Sequence, residues 1–143
     1  MTRDYSIRQV LELGACTNCQ MCAQVCPAVS AAMDGELSAV YRLDGLKKVL
    51  KSRSLIFRKL FRRKALSKEH WDHFSNTVFR CTLCANCQEV CPVGINLKDL
   101  WLSLRQDLVH THVHPKKLKK VRENLETEHN VFGEDNEERI EWV

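Results

Sequence analysis

The chain has 143 residues, eight cysteines and a formal charge of +4, a size and composition that suit one modest domain. No apolar run approaches the length of a membrane span, and the first four residues do not begin a signal peptide, so we expect a cytoplasmic protein. Few segments alternate β-branched and polar residues, which argues against a β-sheet fold.

The first half of the chain carries helix signals on both sides of a cysteine-rich segment. Ser6 can cap a short helix that ends at Gly14, and Val29 to Met33 predicts a second helix. Asp44-Gly45 is a start signal for a longer one, because apolar residues recur at helical spacing from Leu46 to about Leu66.

The second half continues the helical pattern. Ser67 can cap a helix, Asn96 is a good N-cap for the next, and Pro115 suits the first turn of a last helix. These segments carry apolar stripes formed by Trp71, Phe74 and Val78, by Leu97, Leu100, Trp101, Leu104 and Leu108, and by Leu118, Val121 and Leu125. The sequence therefore predicts an all-α fold.

All eight cysteines fall into two copies of one pattern, in which three cysteines at intervals of three are followed by Cys-Pro. The copies are Cys16, Cys19, Cys22 and Cys26-Pro27, and Cys81, Cys84, Cys87 and Cys91-Pro92. This is the run known from bacterial ferredoxins that carry two [4Fe–4S] clusters. Three closely spaced thiolates can hold three corners of a cube, and the fourth ligand must come from elsewhere. We expect Pro27 and Pro92 each to begin a following helix.

In two-cluster ferredoxins the cysteine before proline binds the other cluster, which predicts a crossed set of ligands here. The first cluster would take Cys16, Cys19, Cys22 and Cys91, and the second would take Cys81, Cys84, Cys87 and Cys26.

Two other uses of the cysteines fit less well. Disulfides need an oxidising compartment, and zinc sites usually pair two CxxC motifs rather than three cysteines plus Cys-Pro. Eight thiolates and two oxidised clusters together would cancel the formal charge of +4. The basic composition is therefore no argument for nucleic-acid binding.

Charge is segregated along the chain. Residues 1–121 hold 20 basic and 10 acidic side chains, whereas residues 122–143 hold 2 basic and 8 acidic ones. We expect a helical domain over residues 1–125 and an acidic C-terminal tail over 126–143. The tail keeps Val131, Phe132, Ile140 and Trp142, and such apolar residues favour docking on a partner.

Residues 47–68 form a basic segment in which apolar residues recur at helical intervals. Its basic residues are Lys47, Lys48, Lys51, Arg53, Arg58, Lys59, Arg62, Arg63, Lys64 and Lys68. Three interpretations remain: a solvated helix face, a docking surface for an acidic partner, or peripheral contact with an anionic membrane.

The histidines and tryptophans have simpler interpretations. His110, His112 and His114, like His70 and His73, are expected to be structural or exposed to solvent. Trp71 and Trp101 are expected in the core, and an aromatic near a cluster could also shield it from water.

The two cysteine runs, the helical spacer of 55 positions between Cys26 and Cys81, and the Val-Cys-Pro ends carry a family resemblance. Residues 6–110 resemble the α-helical ferredoxin domain of the heterodisulfide reductase C subunit and the amino-terminal part of the related D subunit. Asn130 to Gly133 resembles the linker before the cysteine-rich CCG domains of the D subunit, although Val131 stands where that family often has proline. No CCG motif follows in this sequence.

The resemblance implies an electron-transfer subunit without an active site of its own, working inside a cytoplasmic oxidoreductase complex. Its expected partners are a catalytic subunit with CCG domains and a flavin or iron–sulfur donor subunit. The alternatives are the iron–sulfur subunit of a quinone-linked membrane dehydrogenase, a free ferredoxin-like carrier, or a zinc-stabilised scaffold.

Overall fold

The computed structural model describes residues 5–53 and 66–137, and within these ranges it contains helices and no strands. The prediction of an all-α fold is confirmed. A 3₁₀ turn at Gly35–Leu37 separates the third and fourth helices. The helices are α1 (Ile7–Ala15), α2 (Met21–Gln24), α3 (Pro27–Ala32), α4 (Ala39–Arg53), α5 (Lys68–Phe79), α6 (Asn86–Glu89), α7 (Leu97–His110) and α8 (Lys116–Thr127).

Side-chain caps start the helices where the sequence predicts them. The hydroxyl of Ser6 accepts a hydrogen bond from the backbone N–H of Gln9, whose side chain in turn accepts from the N–H of Ser6, a complete capping box. Ser67 and Asn96 cap α5 and α7 through their side-chain oxygens. The first helix extends one residue beyond Gly14, to Ala15.

The chain divides into two compact units, Met1–Val113 and His114–Val143. In the first unit, α5 packs against both α4 and α7. The apolar stripe predicted on α7 is buried, as are Leu43, Leu46 and Val49 of α4 and Phe74 and Val78 of α5. This core holds together the segments that carry the two cysteine runs.

Gly45 is inside α4, so the helix start predicted at Asp44-Gly45 is wrong. A Cβ atom at residue 45 would lie 2.2 Å from Cε2 of Phe74, whose ring is buried. The glycine is needed because the aromatic ring of α5 occupies the space of a side chain. The helix begins instead at Ala39, where the Ser38 hydroxyl accepts from the N–H of Tyr41.

Pro92 also differs from the expectation, because it lies in a turn and does not begin a helix. The N–H of Gly94 donates to the carbonyl oxygen of Cys91 over 3.0 Å, and Gly94 has a φ of +71° that glycine adopts without strain. Pro27, in contrast, is the first residue of α3, as predicted.

The second unit contains α8, which starts after Pro115 as predicted, and a turn organised by Asn130. The side-chain oxygen of Asn130 accepts from the backbone N–H groups of Phe132, Gly133 and Glu134. The domain boundary expected at residue 125 stays a prediction. Residues 54–65 of the basic segment, and Ile140 and Trp142 of the tail, lie outside the described residues.

Candidate metal centres

The two cysteine runs fold into the same backbone conformation. Non-glycine residues have positive φ at matching positions, Asn18 and Gln20 in the first run and Leu83 and Ala85 in the second. Each loop continues into a single helical turn, α2 or α6. Left-handed backbone is unusual for residues with a Cβ, so its repetition indicates two loops shaped for the same purpose.

The second cysteine run and Cys26 line one cavity, which we call the Cys26 cavity. It contains about 400 Å³ of space free of protein atoms, part of it open to solvent. Its cysteines are Cys26, Cys81, Cys84 and Cys87. Three of its four sulfurs thus come from one run and the fourth from the other.

The first cysteine run and Cys91 line a second cavity, which we call the Cys91 cavity. It contains about 360 Å³ of space free of protein atoms, part of it open to solvent. Its cysteines are Cys16, Cys19, Cys22 and Cys91. Each cavity is therefore lined by three cysteines of one run and one of the other, and each has one exposed cysteine, Cys84 or Cys19.

Burial makes the thiols at the inner walls of the cavities more difficult to ionise. Burial raises the pKa of Cys87 to about 11, and the indole N–H of Trp101 acts in the opposite direction by favouring the thiolate. Burial likewise raises the pKa of Cys22, which the backbone N–H of Val40 partly offsets. Each cavity therefore has an N–H group, from Trp101 or from the backbone of Val40, that stabilises a negatively charged cysteine sulfur.

An unpartnered donor at the Cys26 cavity fits a bound cluster. The indole Nε1 of Trp101 is buried and has no hydrogen-bond acceptor among the described residues. Trp101 lines this cavity, so a cluster sulfur or the Cys87 thiolate can accept from it. A set of four cysteines around one cavity is also the donor set of a [4Fe–4S] cube.

The geometry is less suited to a single metal ion. In the described part of the chain, no three His, Cys, Asp or Glu side chains converge closely enough to hold one ion. The cysteines line the walls of a cavity instead, as ligands of a polynuclear group do.

The two cavities adjoin each other. The helical turns α2 and α6 pack together, and a charge on Cys22 would raise the pKa of Cys87. Because thiols from different cavities influence each other electrostatically, groups held in the two cavities are close enough to interact.

The cysteine motif does not identify two arginines that lie near the Cys26 cavity. Arg42 lies in its wall and is 1% exposed, although it stands among the buried apolar residues of α4. The guanidinium of Arg105 donates to the carbonyl oxygens of Val78, Phe79 and Cys81 at the start of the second run. The interruption of an apolar stripe by Arg42 is the signal that could have identified it.

The histidines considered in the sequence are exposed or half-buried. His110 and His112 are exposed, and His73 makes a 2.7 Å contact with Glu36 at the surface. Trp101 is buried in the core as predicted, whereas Trp71 is only half-buried.

Comparison with known proteins supports the interpretation of the cavities. A family model described as a 4Fe–4S dicluster domain matches residues 12–95. The chain is 30% identical over 149 residues to the D subunit of the dihydromethanophenazine:CoB–CoM heterodisulfide reductase of Methanosarcina mazei and of Methanosarcina barkeri. These matches cover 99% of this chain and 35% of each relative, so the chain spans about a third of their length.

A more distant relative belongs to a different oxidoreductase. The glycolate oxidase iron–sulfur subunit of Escherichia coli is 28% identical over 104 residues, which cover 71% of this chain and 21% of that protein. No solved structure matches the chain significantly. None of the helices in residues 5–53 and 66–137 is both long enough and apolar enough to span a membrane.

The family match covers both cysteine runs and the helical spacer, and the cavities supply two sets of four thiols. The chain therefore belongs to the 4Fe–4S dicluster domain family, is a homologue of the heterodisulfide reductase D subunit, and carries two [4Fe–4S] clusters.

Proposed function

We propose that this chain relays single electrons through two [4Fe–4S] clusters within a multi-subunit oxidoreductase complex of the heterodisulfide reductase type. The observation that carries the proposal is the division of the eight cysteines between two adjoining cavities, each lined by four. When bound, each cluster accepts and releases one electron.

The proposed ligands follow the two cavities. Cys81, Cys84 and Cys87 would hold one cluster with Cys26, and Cys16, Cys19 and Cys22 would hold the other with Cys91. Each loop would then lend its last cysteine to the neighbouring site, so that neither site forms without the other run. The packing of α2 against α6 supports this arrangement, because it brings the two loops together.

The role inside a complex is supported by the relatives and by the surface. Both kinds of relative are named as subunits of oxidoreductases and are much longer than this chain. Ile7 and Leu11 are 68% and 69% exposed on one face of α1, and Phe132 is 76% exposed in the second unit. Large exposed apolar residues favour a subunit that docks on a partner over a freely diffusing electron carrier.

The proposed partners are a catalytic subunit with CCG domains and a flavin or iron–sulfur donor subunit. Purification under anaerobic conditions, followed by identification of what co-purifies, tests this part. We expect Phe132→Ser, which removes an exposed apolar side chain without disturbing the core, to weaken the association. A monodisperse chain that co-purifies with no redox subunit would instead favour the free carrier.

Peripheral membrane contact through the basic segment is a separate proposal. Lys47, Lys48, Lys51 and Lys68 are its described lysines, and Lys48, Lys51 and Lys68 are exposed. Flotation of the holoprotein with vesicles of anionic lipid at low salt tests it. Absence of lipid binding under these conditions would leave docking to a protein or simple solvation.

The ligand sets are tested by anaerobic iron analysis and electron paramagnetic resonance. Wild-type protein should contain close to eight irons and give two distinguishable reduced signals. Cys26→Ser should perturb the same signal as Cys84→Ser, and Cys91→Ser should perturb the same signal as Cys19→Ser. If Cys26→Ser instead changes the signal that Cys19→Ser changes, the crossed assignment is wrong.

A further inference from the structure

Arg42 is a buried cation without a counter-charge in the described part of the chain. Its Nε donates to the carbonyl oxygen of Thr77 over 3.2 Å, and a terminal nitrogen donates to that of Leu37. Its guanidinium carbon lies 5.6 Å from the ring centroid of Trp101. Neutral carbonyls and an aromatic ring do not balance a buried charge, so an anionic group is needed nearby.

The Cys26 cavity supplies that anion when its thiolates hold a cluster. Arg42 lines this cavity, so its positive charge lies beside the thiolates that hold the cluster. Trp101 lines the same cavity, and its buried indole N–H has no acceptor in the described residues, so a cluster sulfur or thiolate can accept from it. Arg105 adds a second partly buried guanidinium, which donates to the carbonyl oxygen of Cys81.

The Cys91 cavity has no equivalent. Among the described residues, no Arg, Lys or His lines it. Its walls are apolar side chains such as Val40, Leu43 and Ile95, with Thr17, Asn18 and Gln20 on the loop. Within the described ranges, the backbone N–H of Val40 is a neutral donor that favours the Cys22 thiolate.

The reduction potential of a [4Fe–4S] cluster depends on net charge, hydrogen bonds to sulfur and exposure to solvent. Reduction adds one negative charge, so a buried cation and an N–H donor stabilise the reduced form more than the oxidised one. Both loops present one exposed cysteine, and the sites differ in the cations and the indole at the Cys26 cavity: Arg42, Trp101 and Lys98. Lys98 is exposed, so solvent screens its charge, whereas Arg42 and Trp101 are each 1% exposed.

We propose that Arg42 and Trp101 make the cluster in the Cys26 cavity the higher-potential member of the pair, so that one electron given to this chain resides there. This inference rests on the ligand sets proposed above. Its consequence is directional: downhill transfer runs from the Cys91 cavity, whose exposed ligand is Cys19, to the Cys26 cavity, whose exposed ligand is Cys84. Neither residue is catalytic; both act on the potential of a neighbouring group.

The test is an anaerobic reductive titration of the full-length holoprotein with dithionite and redox mediators, followed by electron paramagnetic resonance. Wild-type protein should take up two electrons in two separate steps. The signal that appears at the higher potential should be the one altered in Cys84→Ser. The signal that appears at the lower potential should be the one altered in the matched variant Cys19→Ser.

Two positions test the residues themselves. Arg42→Gln should shift the reduction equilibrium of the high-potential step at least tenfold toward the oxidised form, which is about 59 mV for one electron. Arg42→Lys should retain most of the wild-type potential. Trp101→Phe keeps an aromatic ring and removes only the N–H, so it should shift the same step in the same direction by a smaller factor.

A second arginine–tryptophan pair provides matched controls. The guanidinium of Arg53 lies 5.4 Å from the ring centroid of Trp71, and neither residue lines a cluster cavity. Arg53→Gln and Trp71→Phe should therefore leave both potentials unchanged, even if they lower stability.

Several outcomes would overturn the inference. The proposal is wrong if Cys19→Ser alters the higher-potential signal, or if Trp101→Phe leaves both potentials at their wild-type values. Should Arg42→Gln fail to retain its clusters, the wild-type assignment and Trp101→Phe decide the question. An iron content near four, or a single reduction step, would instead contradict the proposed two-cluster relay.

Discussion

Gly45→Ala is expected to destabilise the holoprotein by about 2 kcal/mol. The new Cβ would lie 2.2 Å and 2.6 Å from two carbons of the buried Phe74 ring, so α4 and α5 must move apart. Overpacking of this kind costs about 1–3 kcal/mol, and the closeness of the contact points to the upper end. Alanine recovers about 0.5–1 kcal/mol because it is the better helix former.

The consequence for function follows from where α4 lies. This helix carries Arg42 to the Cys26 cavity and Val40 and Leu43 to the Cys91 cavity. A shift of α4 away from α5 should therefore loosen both cluster sites. The conflict between the new Cβ and the Phe74 ring exists only while α4 and α5 are packed together. We therefore expect the loss of about 2 kcal/mol to appear as faster unfolding, by about 30-fold.

The assay is the anaerobic rate at which the visible absorbance of the clusters disappears at a fixed urea concentration, compared with the loss of helical circular dichroism. Gly14→Ala is the matched control: Gly14 is also in a helix, and no atom lies within 4 Å of its added Cβ. That variant should gain about 0.5–1 kcal/mol of stability.

A double-mutant cycle separates steric conflict from other causes. In a Phe74→Leu background the ring carbons are absent, so Gly45→Ala should cost much less. The reasoning is refuted if Gly45→Ala loses its clusters no faster than wild type, or if its cost is the same in both backgrounds.

Three further changes test contacts away from the cavities. Glu12→Gln should make stability less sensitive to acid: the hydrogen bond from Arg8 lowers the pKa of Glu12, so its contribution is present above the ordinary value of 4.5 and is lost as the pH falls through the lowered one. Thermal melts of both proteins across this range check it. Asp107→Asn should cost about 1.5–3 kcal/mol, measured by denaturation, because it removes the buried charge that accepts from Arg53 over 2.6 Å and 2.7 Å. Asn130→Ala should increase amide hydrogen exchange about tenfold in the following turn, where its side-chain oxygen accepts from three backbone N–H groups.

Each of these three expectations has a clear contrary result. An unchanged acid profile in Glu12→Gln would mean that the hydrogen bonds this carboxylate accepts, from Arg8 and from the backbone N–H of Asn96 over 3.1 Å, do not contribute to stability. For Asp107→Asn, the control is the same substitution at the exposed Asp72. Equal losses of stability in the two variants would mean that the burial of Asp107 does not set the cost. Unaltered exchange in Asn130→Ala would show that the turn persists without the side chain.

Much of the architecture could be predicted from local signals. Helix caps act within three residues, which is why Ser6, Ser67 and Asn96 mark helix starts correctly. The stripe on α7 is buried as its period predicts. The prediction failed where a tertiary contact explains the residue. Asp44-Gly45 resembles a helix start, but α4 runs through it, and the glycine is present because the Phe74 ring occupies the space of a side chain.

The amino-acid sequence by itself determined the cofactor and the helical class, because ligand spacing and helical periodicity are properties of short segments. Only the tertiary structure decided what surrounds each cavity. Arg42 is held by carbonyl groups up to 35 residues away, and Trp101 reaches the Cys26 cavity from α7. Such burial depends on contacts between distant segments, and it makes two matching cysteine runs electrostatically different.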